Sequence, residues 1–277
     1  MHFAAGYFAR AAGTEQFFRR AGLERKKMKS FCLTDVGIKR EMNQDFVYAS
    51  DQRIGCLPNL YIVADGMGGH NAGDYASRHA VETMVDYIES AQDDMPVSIL
   101  ARAGEAANFA VYEKSVTEKS MEGMGTTLVA ATVVDDCLYL INIGDSRLYI
   151  VDSGIEQISV DHSLVEDMVR NGEITREEAR THPDKNVITR ALGTKKRVKA
   201  DLFDVALNPD DTILMCSDGL SNMLTDREMM TVIKEAESLE EAAKKLVEKA
   251  NFNGGSDNIS VILMRNTKNA ADEVTVC

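Results

Sequence analysis

The chain has 277 residues, 44% hydrophobic and 27% charged, enough apolar material for one large globular domain. Its net charge of −13 argues against nucleic acid or a membrane surface as partner, because both are bound by Lys and Arg that neutralise phosphates. No run of about 18 apolar residues is present to span a bilayer, and Cys32, Cys56, Cys137, Cys216 and Cys277 form no C-x-x-C pair, which argues against a disulfide framework and for a reducing cytoplasm.

Residues 1–27 are a basic leader in which Arg10 and Glu15 interrupt the apolar core that a secretory signal needs. It reads as an extension ahead of a biological start at Met28, with no part in catalysis. Short strands are expected at 31–34 and 46–49, and the run Leu60 to Ala64 reads as a strand that stops abruptly at Asp65-Gly66. Apolar residues spaced by three and four predict helices over 74–90 and 97–119.

The period then becomes strand-like over 126–134, 138–143, 147–151 and 156–158, separated by turn dipeptides, which predicts an antiparallel meander of hairpins. In that scheme Gly144-Asp145-Ser146-Arg147 is a hairpin turn whose Asp and Arg fix neighbouring loops. Helix returns over 162–180, broken at Gly172. Strands are expected at 202–205, 212–216 and 259–264, and helices at 226–235 and 239–250. Blocks of this kind predict an α+β sandwich of layered sheets covered by helices.

Acids stand where these runs end. Asp65 precedes Gly66-Met67-Gly68-Gly69, Asp218 stands between Ser217 and Gly219, and Asp257 follows Gly254-Gly255-Ser256. Hard cations such as Mg²⁺ and Mn²⁺ prefer oxygen ligands on tight turns, and the Gly66 carbonyl adds a neutral oxygen beside the Asp65 carboxylate. Two cations roughly 3.5–4 Å apart lower the pKa of a shared water for in-line attack. Each Asp-Gly pair taken singly is an ordinary turn; the set together points to hydrolysis at phosphorus. The five histidines, His2, His70, His79, His162 and His182, form no zinc pattern, and His162 reads as a structural hydrogen-bonded histidine.

Arg40 to Asp45, VADGMGGH, GMGTT, IGDSR, DHS, NVITRALG, CSDGL and GGSDNIS follow one another in an order that resembles the metal-dependent protein phosphatases of the PP2C (PPM) family, bacterial stand-alone type, from about Met28 to Arg265. The resemblance implies a four-layer α-β-β-α sandwich with two central antiparallel sheets and a flap over about 164–190, in a domain of residues 28–266 followed by a tail at 267–277. It implies phosphoserine and phosphothreonine hydrolysis by a metal-bridging hydroxide, with two Mn²⁺ or Mg²⁺ ions held by Asp65, the Gly66 carbonyl, Asp218 and Asp257. Asp45 would hold metal-bound water and Arg40 the substrate phosphate.

A third ion at Asp218, with Glu122 as the nearest further acid, is implied by bacterial members. Partners would be phosphorylated proteins and an opposing Ser/Thr kinase, with the enzyme a monomer. Met67 replaces the histidine of animal relatives, leaving proton delivery to water at the cations, and Gln44 stands where many members carry an acid.

Other hydrolytic chemistries fit poorly. Cys216 lacks the arginine of a C-x5-R cradle, having Asn222 six positions on, and Gly144-Asp145-Ser146-Arg147-Leu148 fails the G-x-S-x-G pattern. A catalytically dead member that only binds phosphoproteins would have no need of Arg40, Asp65, Asp218 and Asp257 together. Deleting residues 1–27 is expected to leave kcat and KM on p-nitrophenyl phosphate unchanged; steady-state kinetics of the truncated chain check this.

Overall fold

The structure, a computed structural model, describes residues 27–69, 72–92 and 95–267. All but the last residue of the basic leader, His2, His70, all but the first residue of the tail, and Cys277 lie outside the described residues.

Two antiparallel sheets are stacked face to face. One has the strand order β1 (Lys27–Asp35), β11 (Ile259–Thr267), β10 (Thr212–Cys216), β7 (Arg147–Val151), β8 (Ile155–Gln157). The other runs β2 (Asp45–Ser50), β3 (Leu60–Met67), β5 (Leu128–Val134), β6 (Cys137–Ile143), β9 (Asp201–Ala206), with the two-residue β4 (Gly125–Thr126) paired to the end of β3.

Strand alternation divides the apolar residues between three cores. Tyr61 and Val63 of β3, Leu138 and Leu140 of β6, and Met215, Ile262 and Met264 fill the space between the sheets. Leu60, Ile62 and Ala64, the other face of β3, pack under α1 (Ala72–Ser90) and α2 (Pro96–Thr117). Leu214, Cys216, Val261 and Leu263 meet α6 (Asp226–Glu235) and α7 (Leu239–Phe252) on the opposite side. The result is the α-β-β-α order expected. No helix among the described residues is long and apolar enough to cross a membrane.

The hairpin meander is corrected. β5 and β6 form a hairpin, as do β7 and β8, but β6 pairs with β9 and β7 with β10, so residues 144–146 carry the chain from one sheet to the other. Thr127 interrupts the strand expected over 126–134, because its Oγ1 accepts from the Asp65 N–H at 2.9 Å and bonds Ser146 Oγ at 2.7 Å.

The expected break at Gly172 is found: α3 (Leu164–Arg170) and α4 (Arg176–Thr181) flank it. This segment docks through His162. Its Nδ1 accepts from the Gly144 N–H at 3.0 Å, and its Nε2 lies 2.8 Å from Arg190 Nη1 and 3.1 Å from Asp201 Oδ2. Burial pushes the His162 pKa down, so the ring is a neutral structural group.

Ile262 is fully buried between the sheets. Ile262→Ala should therefore destabilise the fold by about 2–5 kcal/mol, measured by chemical denaturation.

Candidate active site

The acids collect at one end of the sandwich because the strands that carry them start or finish there. Asp45 opens β2 and lies directly across the ladder from Asp65 in β3. Ser217 links β10 to the one-turn α5 (Asp218–Ser221), and Asp257 lies two residues before β11.

Gly66 does not end its strand, contrary to the sequence reading. β3 continues to Met67, with Gly66 opposite Thr126 and Met67 opposite Gly125. The glycine is required by close approach instead: a Cβ at Gly66 would lie 2.0 Å from the Gly73 carbonyl oxygen of α1. Gly219 serves α5 in the same way, since its Cβ would lie 1.9 Å from the Asn258 oxygen.

Hydrogen bonds fix the carboxylates of Asp45, Asp218 and Asp257 and the backbone of Asp65. Ser217 Oγ donates to Asp45 Oδ2 at 2.7 Å. The Asp65 carbonyl accepts from Thr126 Oγ1 at 2.9 Å and from the Thr127 N–H at 2.8 Å. Asn222 Nδ2 donates to Asp218 Oδ2 at 3.0 Å. Asp257 accepts from its neighbour's N–H at Oδ1, 2.9 Å, and from Arg40 Nη2 at Oδ2, 2.8 Å. That ion pair raises the Arg40 pKa, and the guanidinium stands half-exposed at the rim.

The pocket is electrostatically expensive. Burial pushes the Asp45 carboxyl up to about 7 against the hydrogen bonds from Ser260 and Ser217. Asp218 is pushed up to about 6 by burial and then by Asp257, with Asp65, Arg147 and Arg40 opposing. Asp65 is raised well above the usual carboxylate range by burial and then by Asp45 and Asp218.

Among the described residues, Asp45 Oδ1 and Asp218 Oδ1 are buried and have no hydrogen-bond partner. Oxygen-only donors, orphaned lone pairs and uncompensated negative charge suit hard divalent cations. Among the described residues no group of three or more His, Cys, Asp or Glu side chains is already gathered about one cation position. Asp257 is turned to Arg40 and Asp218 to Asn222, so uptake of a cation would exchange these partners.

Arg40, Asp45, Asp65, Gly66, Asp218 and Asp257 thus share one region, and Glu122 is exposed at the end of a 3-10 turn before β4. Asp145, read from sequence as part of a hairpin turn, is nearly buried, and its carboxyl is raised by burial and then by Asp218. It lines, with Asp218 and Asn222, a cavity of about 300 Å³ to which Arg176, Arg180 and Lys185 of the 164–190 segment also contribute.

The sequence reading also missed Asn258. Its Nδ2 donates to the Val36 and Met42 carbonyls at 2.9 Å each, and its Oδ1 accepts from the Gln44 N–H at 2.8 Å. The signal available was its place in GGSDN. Gln44 is itself a spacer, its carbonyl accepting from the Gly66 N–H at 3.1 Å and from Ser77 Oγ at 2.6 Å.

Known proteins share this chain's sequence and fold. The chain is 40% identical over 240 residues, 83% of its length and 93% of the relative's, to the serine/threonine phosphatase Stp of Listeria monocytogenes. Its fold matches the crystal structure of the serine/threonine phosphatase Stp1 from Staphylococcus aureus with a TM-score of 0.82 at 34% identity, covering 87% of this chain and 96% of that one. It matches the catalytic domain of the serine/threonine protein phosphatase PstP in complex with two manganese ions with a TM-score of 0.78 at 33% identity, covering 88% and all of that chain. The relatives are protein phosphatases as a class. The Protein phosphatase 2C profile matches residues 38–251, and the chain belongs to that family.

A raised carboxyl pKa means that the folded state binds the proton more tightly than the unfolded one. The stability it contributes is present below the usual carboxylate range and lost as pH rises through about 7 for Asp45 and about 6 for Asp218. In chelator, Tm should fall by several degrees between pH 4.5 and 8, and Asp45→Asn should flatten that fall; calorimetry across the pH range checks it.

Proposed function

We propose that the chain hydrolyses phosphoserine and phosphothreonine in phosphorylated proteins, with two Mn²⁺ or Mg²⁺ ions held by Asp65, the Gly66 carbonyl, Asp218 and Asp257. The observation that carries this reading is the pair of buried, partnerless oxygens, Asp45 Oδ1 and Asp218 Oδ1, in a pocket whose carboxyls raise one another. Bound divalent ions supply acidity to a coordinated water and neutralise charge on phosphoryl oxygens. The PstP relative, whose structure contains two manganese ions, supports the stoichiometry. A third ion at Asp218 and Glu122 belongs to the same proposal.

The chain's own groups do the rest. Asp45, held by Ser217, has an oxygen left without a partner among the described residues, and with cations bound it would orient water there. Arg40 offers planar N–H donors to the substrate phosphate once Asp257 is engaged elsewhere. Met67 has no proton to give, so no side chain at that position protonates the departing serine or threonine oxygen. The enzyme is expected to act as a monomer in the cytoplasm, against a Ser/Thr protein kinase, within a domain of residues 28–266.

Cys216 is not a rival nucleophile. It is fully buried in β10, and burial pushes its thiol pKa up to about 12, far from the thiolate that attack requires.

Asp218→Asn removes a ligand charge at nearly constant volume and should lower Mn²⁺-dependent hydrolysis of p-nitrophenyl phosphate on the order of hundredfold or more. Cys216→Ser should retain most of it. Assays with Mn²⁺ and with chelator decide between catalysis and mere phosphoprotein binding: folded wild-type protein with no metal-dependent turnover would be a binding module.

A further inference from the structure

The loop joining β1 to β2 turns Val36, Ile38 and Met42 into water, with Ile38 62% exposed. Phe252, the last residue of α7, is 90% exposed. Both features border the segment that leads into Asp257. The Gly255 carbonyl accepts from the Ile38 and Lys39 N–H groups at 2.8 and 3.1 Å, and a Cβ at Gly255 would lie 3.0 Å from Ile38 Cγ1. Val36 and Met42 are tied to the same segment through their carbonyls, both bonded to Asn258 Nδ2.

Scattered apolar residues on a surface are ordinary. Val36, Ile38 and Met42 share one loop that is bonded to Gly255, three residues beyond Phe252, and the loop cannot fold them inward. Gly37 sits at φ +78°, where its Cβ would be 2.2 Å from the Asp257 carbonyl oxygen, and the Gln44 N–H is held by Asn258 Oδ1. Apolar side chains fixed in water in this way mark a contact surface.

Its position says what it contacts. The same loop carries Arg40, the proposed phosphate ligand, in a bond to Asp257. Lys39 and Glu41, both exposed beside it, carry opposite charges, so the loop offers little ionic selection beyond Arg40 itself. Whatever places a phosphate at Arg40 lays its neighbouring residues on this rim.

We propose that Val36, Ile38, Met42 and Phe252 form a docking rim for an apolar side chain adjacent to the phosphorylated serine or threonine of a substrate protein. The inference rests on the phosphatase reading above. It assigns this enzyme a sequence preference at the flanking position, expressed in KM and absent from substrates without a flank.

The test compares wild type with Ile38→Asp and Phe252→Ser on two phosphothreonine peptides that differ only in carrying Leu or Ser beside the phosphorylated residue, with p-nitrophenyl phosphate as the flankless control. Wild type should favour the Leu peptide by roughly tenfold in kcat/KM. Ile38→Asp should bring the two peptides close to parity through KM, Phe252→Ser should lower the preference in part, and both should leave p-nitrophenyl phosphate turnover unchanged.

Equal use of the two peptides by wild type would overturn the proposal, as would a loss that Ile38→Asp imposes equally on all three substrates. So would a wild-type dimer in sedimentation that Ile38→Asp dissociates, because the rim would then be covered by a second copy. Wild-type turnover of p-nitrophenyl phosphate that depends on Mn²⁺ tests the phosphatase reading separately. Turnover without a peptide preference strikes only the inference.

Discussion

Carboxylates lose more than any other common side chain when they are taken out of water beside one another, and this chain gathers Asp45, Asp65, Asp145 and Asp218 in that condition. Their mutual repulsion is a standing load on the fold. It is offset by the burial of three apolar cores, which hold the strand ends together. The arrangement stores destabilisation at the one place where a cation would relieve it, the usual relation between a binding site and the stability of its scaffold.

Local hydrogen bonding decides how that load is distributed. Asn258 binds three backbone groups of the 36–44 loop, while its own carbonyl presses on Gly219 and its N–H satisfies Asp257. One buried residue, through its amide and its backbone, thus links the arginine loop, the start of β2 and α5 to the turn that bears Asp257. Thr127 and Ser217 do the same for Asp65 and Asp45. The same bonds tie the backbone of Val36, Ile38 and Met42 to that turn, so the apolar side chains of the loop are held beside Arg40.

The other border of the site is the 164–190 segment. Arg147 grips Asp161 through Nε and Nη2, the latter at 2.7 Å from Oδ2, at the foot of that segment. Arg180 reaches the Ser221 and Leu224 carbonyls at 3.4 and 3.0 Å. Arg147 and Arg180 line one cavity together with Asp145 and Asp218, so this segment borders two of the acids.

Much of this was legible in the residues. The period of apolar positions marked most strands and helices, because burial on one face acts on residues close in sequence. The acids at strand ends were visible as candidates, because Asp beside Gly is a local signature. Three matters were decided only by tertiary contact. The crossing of residues 144–146 between sheets looks like a hairpin locally, since a turn does not record which strands it serves. Gly66 reads as a strand end, yet the strand runs on, and the glycine answers to the carbonyl of Gly73 in a following helix. Asn258 and Asp145 gained their places from partners far away in the chain. Sequence by itself determined which residues are acidic, apolar or free to turn; the stacking of the two sheets determined which of them meet, because close approach across a core is set by geometry that no local pattern encodes.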